Sequence, residues 1–117
     1  MKYAMLIYSD ENKVAQATPE QLKEMHAQYG AFTAEVNEKK LHRGGEPLQP
    51  VSNATTVRVR DGKATTTDGP FAETKEQLGG FYLLDCKDLD EAIEYAAKIP
   101  GAAWGCVEIR PILVFNY

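Results

Sequence analysis

The chain of 117 residues has few of the residue types that mark metal and nucleophile sites: two cysteines and two histidines. Cys86 and Cys106 lack the spacing of a metal-binding pair, and with two histidines they match no zinc pattern. No phosphate-binding loop or dinucleotide fingerprint is present. The two serines, Ser9 and Ser52, stand in ordinary loop contexts, which argues against a Ser-His-Asp hydrolase. We therefore expect no bound metal and no cofactor.

The chain also lacks an excess of positive charge and any long apolar run. Lysine and arginine number 13 against 17 acidic residues, so the net charge is −4. This balance predicts neither a nucleic-acid partner nor attachment to anionic lipid. The apolar run over residues 3–8 is typical of a strand rather than a signal peptide, and no run approaches a membrane span. We expect a cytoplasmic protein without membrane contact.

Hydrophobic residues make up 44% of the chain and charged residues 26%, as in ordinary globular proteins. The length predicts one domain over residues 1–117.

The first part of the chain predicts a strand, a loop and a long helix. Residues 2–8 form the strand and the polar residues 9–17 form the loop. Thr18 has the pattern of a helix N-cap, with Gln21 as its capping-box partner. The helix runs to about residue 38, and its apolar face carries residues spaced three and four apart: Leu22, Met25, Tyr29, Phe32 and Val36.

A β-hairpin is predicted in the middle of the chain. Residues 55–60 alternate, Asp61-Gly62 is a strong two-residue turn signal, and residues 63–67 return. A short strand over residues 40–48 precedes the hairpin. Residues 68–71, Asp-Gly-Pro-Phe, predict a loop after it, and we expect Phe71 to anchor this loop in the core.

The last part of the chain predicts a strand, a helix and a strand. Residues 72–78 are compatible with a turn of helix, and residues 79–86 form a strand. Asp88 and Glu91 have the capping-box spacing. The helix they open has an apolar stripe of Leu89, Ala92, Ile93 and Ala96. Residues 105–115 form the final strand.

This order predicts an α+β fold of the ferredoxin-like split βαβ type, with an antiparallel sheet and an inserted β-hairpin. Both helices cover one face of such a sheet. The first strand is nonetheless apolar on both faces, with Tyr3 and Met5 opposing Ala4 and Leu6. A second copy of the sheet is the simplest cover for the other face, so we expect a homodimer. The two cysteines lie on strands too far apart for a disulfide and are expected as buried thiols.

The stretch from Thr67 to Glu76, TDGPFAETKE, is followed by Leu-Gly-Gly-Phe-Tyr over residues 78–82. Together with Gly-Gly-Glu-Pro-Leu over residues 44–48 and Val-Glu-Ile-Arg-Pro-Ile over residues 107–112, it resembles the DGPF-domain branch of the YCII-related family. This resemblance covers essentially the whole chain. It implies a dimeric ferredoxin-like fold of the α/β-barrel type and a regulatory role linked to sigma-factor systems. A few relatives are enzymes, one of them a dehydrochlorinase.

The wider YCII family has a histidine on the first helix and an aspartate near the end of the second, proposed as an acid–base dyad. His26 lies on the first predicted helix. Ile99 stands where the aspartate would be, so the dyad cannot be transferred to this chain.

Two residues are candidates for acid–base chemistry. His26 borders the apolar helix face and could serve as a catalytic group or as an ordinary boundary histidine. Asp68 could point into a cleft, or could fix the turn before Gly-Pro by bonding the backbone two residues on.

The candidate binding residues lie on loops and strand ends. Glycines beside His42 and Arg43 could let a ligand approach the backbone. Arg110 could clamp an anion or pair with Glu108 across strands. The loop motif adds the last candidates, Gly69, Pro70 and Phe71.

Two functions of different kinds remain open. One is a dimer that binds a small molecule or a regulatory protein partner. The other is an enzyme doing acid–base chemistry on a small aromatic or anionic compound, with His26 and Asp68 as acid and base and Arg43 or Arg110 orienting the anion.

Overall fold

A computed structural model describes residues 1–116; Tyr117, the last residue of the predicted domain, lies outside the described residues. The elements in chain order are β1 (Lys2–Ser9), α1 (Glu11–Val14), α2 (Pro19–Glu38), β2 (His42–Pro47), β3 (Thr55–Arg60), β4 (Lys63–Asp68), β5 (Gln77–Asp85), α3 (Leu89–Ala96) and β6 (Cys106–Pro111). Short 3-10 turns cover Val51–Asn53 and Pro100–Ala103.

Four strands form one antiparallel sheet in the order β2-β5-β1-β6. Strands β3 and β4 form a separate two-stranded sheet. The α+β class, the antiparallel sheet and the inserted hairpin are as predicted, and the strand order is compatible with a ferredoxin-like fold.

The core lies on one face of the four-stranded sheet. From β1 it takes Tyr3, Met5 and Ile7, as the alternation of that strand predicts. Both longer helices pack there: α2 contributes Phe32 and Val36, and α3 contributes buried residues to the same cluster. Apolar burial on this face is the main stabilising term for a domain of this size.

Helix α2 begins as predicted. The Thr18 side chain accepts from the Gln21 N–H at 3.1 Å, and the Gln21 side chain accepts from the Thr18 N–H at 2.9 Å. The predicted stripe on α3 is only half right, because Leu89 and Ile93 are about half exposed while Tyr95 is buried. Tyr95 contributes a large ring to the core, which the predicted stripe omitted.

The hairpin turn is also as predicted. Asp61 and Gly62 both have positive φ, 53° and 74°, which matches the twist of the flanking strands. Residues 72–78, which were compatible with a turn of helix, contain bends and the start of β5 but no helix. The predicted loop over residues 9–17, which follows β1, differs too, since Glu11–Val14 form the short helix α1.

Three expectations for single residues are wrong. Phe71 does not anchor its loop in the core, since it is 79% exposed. Cys106 is exposed, whereas Cys86 is buried and both are free thiols. Asp68 cannot fix its turn by bonding two residues on, because Pro70 has no N–H. Backbone groups close the base of the hairpin instead: the Gly69 N–H donates to the Ala54 carbonyl at 2.7 Å.

The face of the sheet opposite the helices is apolar on its central strands. Strand register places Leu6 opposite Phe81, and Ala4 opposite Leu83. These four side chains are half-buried, so each retains exposed apolar surface. We call this surface the open face. On β6 this face carries Arg110 opposite Ala4, Glu108 opposite Leu6, and Cys106 opposite Tyr8.

The strands end earlier than predicted at the C-terminus. β6 stops at Pro111, and residues 112–116 have no regular structure. At the start of this segment, the Ile112 N–H donates to the Lys2 carbonyl of β1 at 2.9 Å. Leu113 and Val114 are more than 70% exposed. Among residues 1–116, no helix is both long and apolar enough to cross a membrane.

Candidate functional site

A cleft of about 640 Å³ lies between helix α2 and the edge of the sheet formed by β2 and β5. We call it the helix–sheet cleft. The side chains of α2 that line it are Met25, His26, Tyr29 and Thr33. The opposite wall comes from β2 and β5, and the ends are closed by α1, by residues 47–50 and by the turn that carries Gly101 and Trp104.

The cleft exists because the sheet wall is rich in glycine. Gly45, Gly79 and Gly80 all line it and contribute no side chain that would fill the space below α2. Gly45 has φ +145°, and a Cβ there would overlap the Phe81 carbonyl oxygen. Only glycine fits this position, so this part of the wall is backbone. A β-bulge lies at Gly79, where pairing shifts from Ile7–Gly80 to Tyr8–Leu78.

Tyr82 forms the central part of the sheet wall. Its ring packs edge-on against Phe32 with the ring centroids 5.0 Å apart, and edge-on to His42 at 6.0 Å. Its hydroxyl is 2.8 Å from the Thr33 Oγ1, which links β5 to α2. The Tyr82 ring is therefore held from three sides, and it presents a fixed wall to the cleft.

Tyr29 stands one helical turn before Thr33 on the same face of α2. Its hydroxyl oxygen accepts from the Gly101 N–H at 3.1 Å. A Cβ on Gly101 would lie 2.7 Å from that oxygen and 2.8 Å from Ile7 Cγ2, so glycine lets the backbone reach the tyrosine. Burial raises the pKa of Tyr29, which keeps the hydroxyl protonated at neutral pH.

The two histidines of the chain line the same cleft from opposite walls. His26 is on α2 and is exposed, whereas His42 begins β2 and is half-buried. Trp104, the one tryptophan of the sequence, lines the cleft and is 47% exposed. It also lines an adjoining recess of about 410 Å³ between α1 and α2, to which Lys13 contributes.

The described residues that line the helix–sheet cleft include no lysine or arginine. Glu11 and Glu46 both contribute to the lining, but strand pairing with Phe81 puts the Glu46 side chain on the open face, so Glu11 carries the carboxylate on the cleft side. The Glu11 carboxylate accepts from the Val51 N–H at 3.2 and 3.3 Å, so its position is held by the turn after β2.

The structure brings His26 and His42 together in this cleft, but not the other predicted residues. Asp68 is exposed at the end of β4, opposite Thr55, and does not line the cleft. Within one chain it is therefore not placed to pair with His26 there. The other three loop candidates likewise stand outside the lining: Gly69, Pro70 and Phe71.

Neither predicted arginine faces the cleft. Arg43 is exposed and donates to the carbonyls of Lys40 and His42, with Asp85 at 3.6 Å. Arg110 pairs with Glu108 at 2.7 Å, which lowers the pKa of that carboxyl. The pair lies along one strand rather than across two, because the residues are two apart on β6.

The sequence interpretation missed the hydroxyl groups of the cleft. Tyr29 was counted only as an apolar residue of α2, and Tyr82 only as part of a strand. Thr33 and Trp104 were not considered. A signal was present, because a tyrosine on a core-facing position needs a partner for its hydroxyl. Ile99, at the family's aspartate position, is 1% exposed and belongs to the core.

No group of three or more histidine, cysteine or acidic side chains suited to hold a metal ion occurs within residues 1–116.

The fold and cleft define a small α+β domain with a ligand-sized recess between one helix and a glycine-rich sheet edge. The model of the YCII-related domain matches residues 1–116. The chain is also similar to the uncharacterized protein R00369 of Rhizobium meliloti (strain 1021), with 37% identity over 118 residues, 99% of this chain and 95% of that protein. This chain belongs to the YCII-related family, as its DGPF and Leu-Gly-Gly-Phe-Tyr motifs predicted.

Proposed function

We propose that this protein is a cytoplasmic homodimer that binds a small molecule in the helix–sheet cleft and serves a regulatory role. The observation that carries the proposal is the cleft itself. Its volume of about 640 Å³ falls in the range of small-molecule sites. Its walls are mainly apolar and aromatic, and a few polar groups converge on it, which is the usual composition of a ligand site.

The polar groups are held before any ligand arrives. The Tyr82 ring is fixed by Phe32 and by the Thr33 hydroxyl, and the Tyr29 hydroxyl is fixed by the Gly101 N–H. Groups already ordered in the free protein lose little conformational entropy on binding. This supports a binding site over an accidental gap between α2 and the sheet.

The open face supports the homodimer. Its centre, on β1 and β5, is apolar, and its β6 side carries the paired Glu108 and Arg110. An apolar centre with a polar rim is the usual anatomy of a protein interface. In the dimer the open faces of two copies pack on each other, which is the dimeric α/β-barrel arrangement that the family resemblance implies. The helix–sheet cleft lies on the other side of the sheet and remains accessible.

A regulatory role follows from the family resemblance, which links DGPF-type proteins to sigma-factor systems. A regulator needs ligand occupancy and a partner surface, and it needs no catalytic pair. The exposed Val57 and Val59 of the hairpin, both about 60% exposed, offer an apolar strip for such a partner. This matches the observation that Asp68, the predicted partner of His26 in catalysis, does not reach the cleft.

A second candidate is an enzyme doing acid–base chemistry in the same cleft. The observation that favours it is that His26 and His42, the two histidines of the sequence, both line this cleft. Histidine is the commonest group for proton transfer near neutral pH. In this case His26→Ala and His42→Ala abolish turnover of the bound compound while the dimer remains intact. Binding alone predicts altered affinity and no turnover to lose.

Native mass spectrometry of gently purified protein tests the main proposal. We expect a species of twice 13.0 kDa that retains a small-molecule mass. Ala15→Trp places a bulky ring at the cleft, and it should remove that mass. Ala34→Trp is the matched control, since Ala34 is equally exposed but lies outside the cleft lining. A monomer contradicts the dimer. A retained mass that Ala15→Trp leaves unchanged contradicts the assignment of the cleft.

A further inference from the structure

We propose that the helix–sheet cleft prefers planar ligands that carry both a hydrogen-bond acceptor and a donor, as a carboxamide or lactam does, and discriminates against carboxylates. This inference deepens the proposed ligand-binding function and rests on it. It is carried by the way protons are shared among three hydroxyl groups in the cleft wall.

Thr33 has one hydroxyl proton, and that proton is used inside the helix. The Thr33 Oγ1 donates to the Tyr29 carbonyl at 2.9 Å, and a carbonyl can only accept. The same Oγ1 is 2.8 Å from the Tyr82 hydroxyl. Both contacts form together only if Tyr82 donates its proton to Thr33. The Tyr82 oxygen then offers only lone pairs to the cleft, so it acts as an acceptor toward a ligand.

The Tyr29 hydroxyl has the opposite hydrogen-bonding role, that of a donor. Its oxygen accepts from the Gly101 N–H, so its own proton is not used in that bond. Burial raises its pKa, which keeps the proton in place. No acceptor for this proton is found among the side chains that the structure describes. The Tyr29 hydroxyl is therefore available as a donor to a ligand.

The donor and the acceptor belong to neighbouring parts of the cleft wall. Thr33, which holds Tyr82, follows Tyr29 by four residues, so both lie on the same face of α2 about one helical turn apart. A ligand that carries both an acceptor and a donor can therefore use both hydroxyl groups. The Tyr82 and His42 rings give the planar part of the ligand an aromatic wall, with 6.0 Å between their centroids.

Charge adds the second part of the selectivity. The described residues that line the cleft include the Glu11 carboxylate but no lysine or arginine. A carboxylate ligand would lose hydration, gain no cationic partner from these residues and face the lone pairs of the Tyr82 oxygen. The arginines that were candidates for an anion clamp, Arg43 and Arg110, are paired with Asp85 and Glu108 outside the cleft.

Four small aromatic probes of nearly the same shape distinguish the effect of hydrogen bonding on affinity from the effect of charge. Benzamide offers an acceptor and a donor, acetophenone an acceptor alone, benzamidine donors with positive charge, and benzoate acceptors with negative charge. Binding is followed through the single indole N–H resonance of Trp104, which lines the cleft. We expect benzamide to bind more tightly than acetophenone and benzoate. Each lost hydrogen bond should weaken binding about fivefold, and benzoate should bind at least about tenfold more weakly.

Two variants give opposite results across the probes. Tyr29→Phe removes the donor, and it should weaken benzamide and acetophenone about fivefold while leaving benzamidine unchanged. Tyr82→Phe removes the acceptor, and it should weaken benzamide and benzamidine while leaving acetophenone unchanged. Tyr95→Phe makes the same chemical change in the core outside the cleft lining and should alter none of them.

A further variant covers the case in which a tyrosine substitution impairs folding. Thr33→Val removes the hydroxyl that takes the Tyr82 proton, so Tyr82 becomes able to donate. We expect acetophenone and benzoate to bind more tightly to this variant than to the wild type.

Several results overturn the inference. Benzoate binding as tightly as benzamide would do so, as would equal effects of Tyr29→Phe on acetophenone and benzamidine. In either case the cleft still binds small molecules, and the proposed function stands. If no probe shifts Trp104, the selectivity is refuted as stated, and the retained mass in native spectrometry decides the proposed function separately.

Discussion

Replacing Gly101 with alanine tests how closely the turn after α3 packs against Tyr29. The φ of Gly101 is not in the left-handed region, so alanine is opposed only by contacts. The new Cβ would lie 2.8 Å from Ile7 Cγ2, and Ile7 is 8% exposed and packed in the core. It would also lie 2.7 Å from the Tyr29 hydroxyl. Both distances are below normal van der Waals contact.

The expected cost has two parts. Overpacking against Ile7 costs about 1–3 kcal/mol, because a buried branched side chain cannot move freely. Tyr29 can swing toward the cleft, but it then loses the bond from the Gly101 N–H, worth about 1 kcal/mol. We expect Gly101→Ala to lower the free energy of unfolding by about 2 kcal/mol. The corresponding fall in melting temperature is roughly 8 °C.

Gly30→Ala is the matched control. Gly30 lies inside α2, and a Cβ there meets nothing within 4 Å. Alanine should therefore stabilise the helix by about 0.5–1 kcal/mol. Urea unfolding of both variants at one fixed protein concentration measures the difference, since dimerisation would make stability depend on concentration. If Gly101→Ala unfolds within about 0.5 kcal/mol of the wild type, the close packing of this turn is refuted.

Three further outcomes are expected. Thr18→Ala should lower the free energy of unfolding by about 1 kcal/mol in urea, because it removes the bond from the Gln21 N–H; an unchanged midpoint would contradict the cap. The ammonium of Met1 lowers the pKa of Asp85 from its usual 3.8, so the contribution of this carboxylate is present above that pH and is lost as the pH falls through the lower folded value. The stability gap between wild type and Asp85→Asn should therefore be largest near about pH 7 and close in strong acid, and a gap independent of pH would contradict it. Cys106 lies on the open face, so in the proposed dimer its alkylation should accelerate on dilution while buried Cys86 stays unreactive, and a rate independent of protein concentration would argue against that interface.

The sequence predicted the fold class because its local signals agree with the tertiary structure. These signals depend on interactions between residues that are close together in the sequence. Three of them are found as predicted: the Thr18 capping box, the Asp61-Gly62 turn and the alternation of β1. The end of β6 was predicted four residues too far, because an apolar run such as residues 112–115 reads as a strand whether or not a neighbouring strand pairs with it.

The candidate site was predicted less well for a related reason. His26 is a candidate as an acid–base group and His42 as a neighbour of two glycines, and both line the cleft. Asp68 and Phe71 were selected from a sequence motif, which carries no information about the direction in which a hairpin extends from the sheet. The hydroxyl of Tyr29 bonds to Gly101, and the hydroxyl of Tyr82 bonds to Thr33. The two residues of each pair are far apart in the sequence, so these hydrogen bonds cannot be predicted without the fold.

The glycine wall of the helix–sheet cleft also bears on how ligand preference can diverge among relatives. Part of the sheet wall is backbone, and at Gly45 it tolerates no side chain. The facing wall consists of four side chains that α2 presents, so variation in shape and polarity can come from these positions: Met25, His26, Tyr29 and Thr33. Changes there leave the strand pairing of β2 and β5 intact. The ligand preference of the proposed site can therefore change through a few substitutions on one helix while the sheet beneath it stays the same.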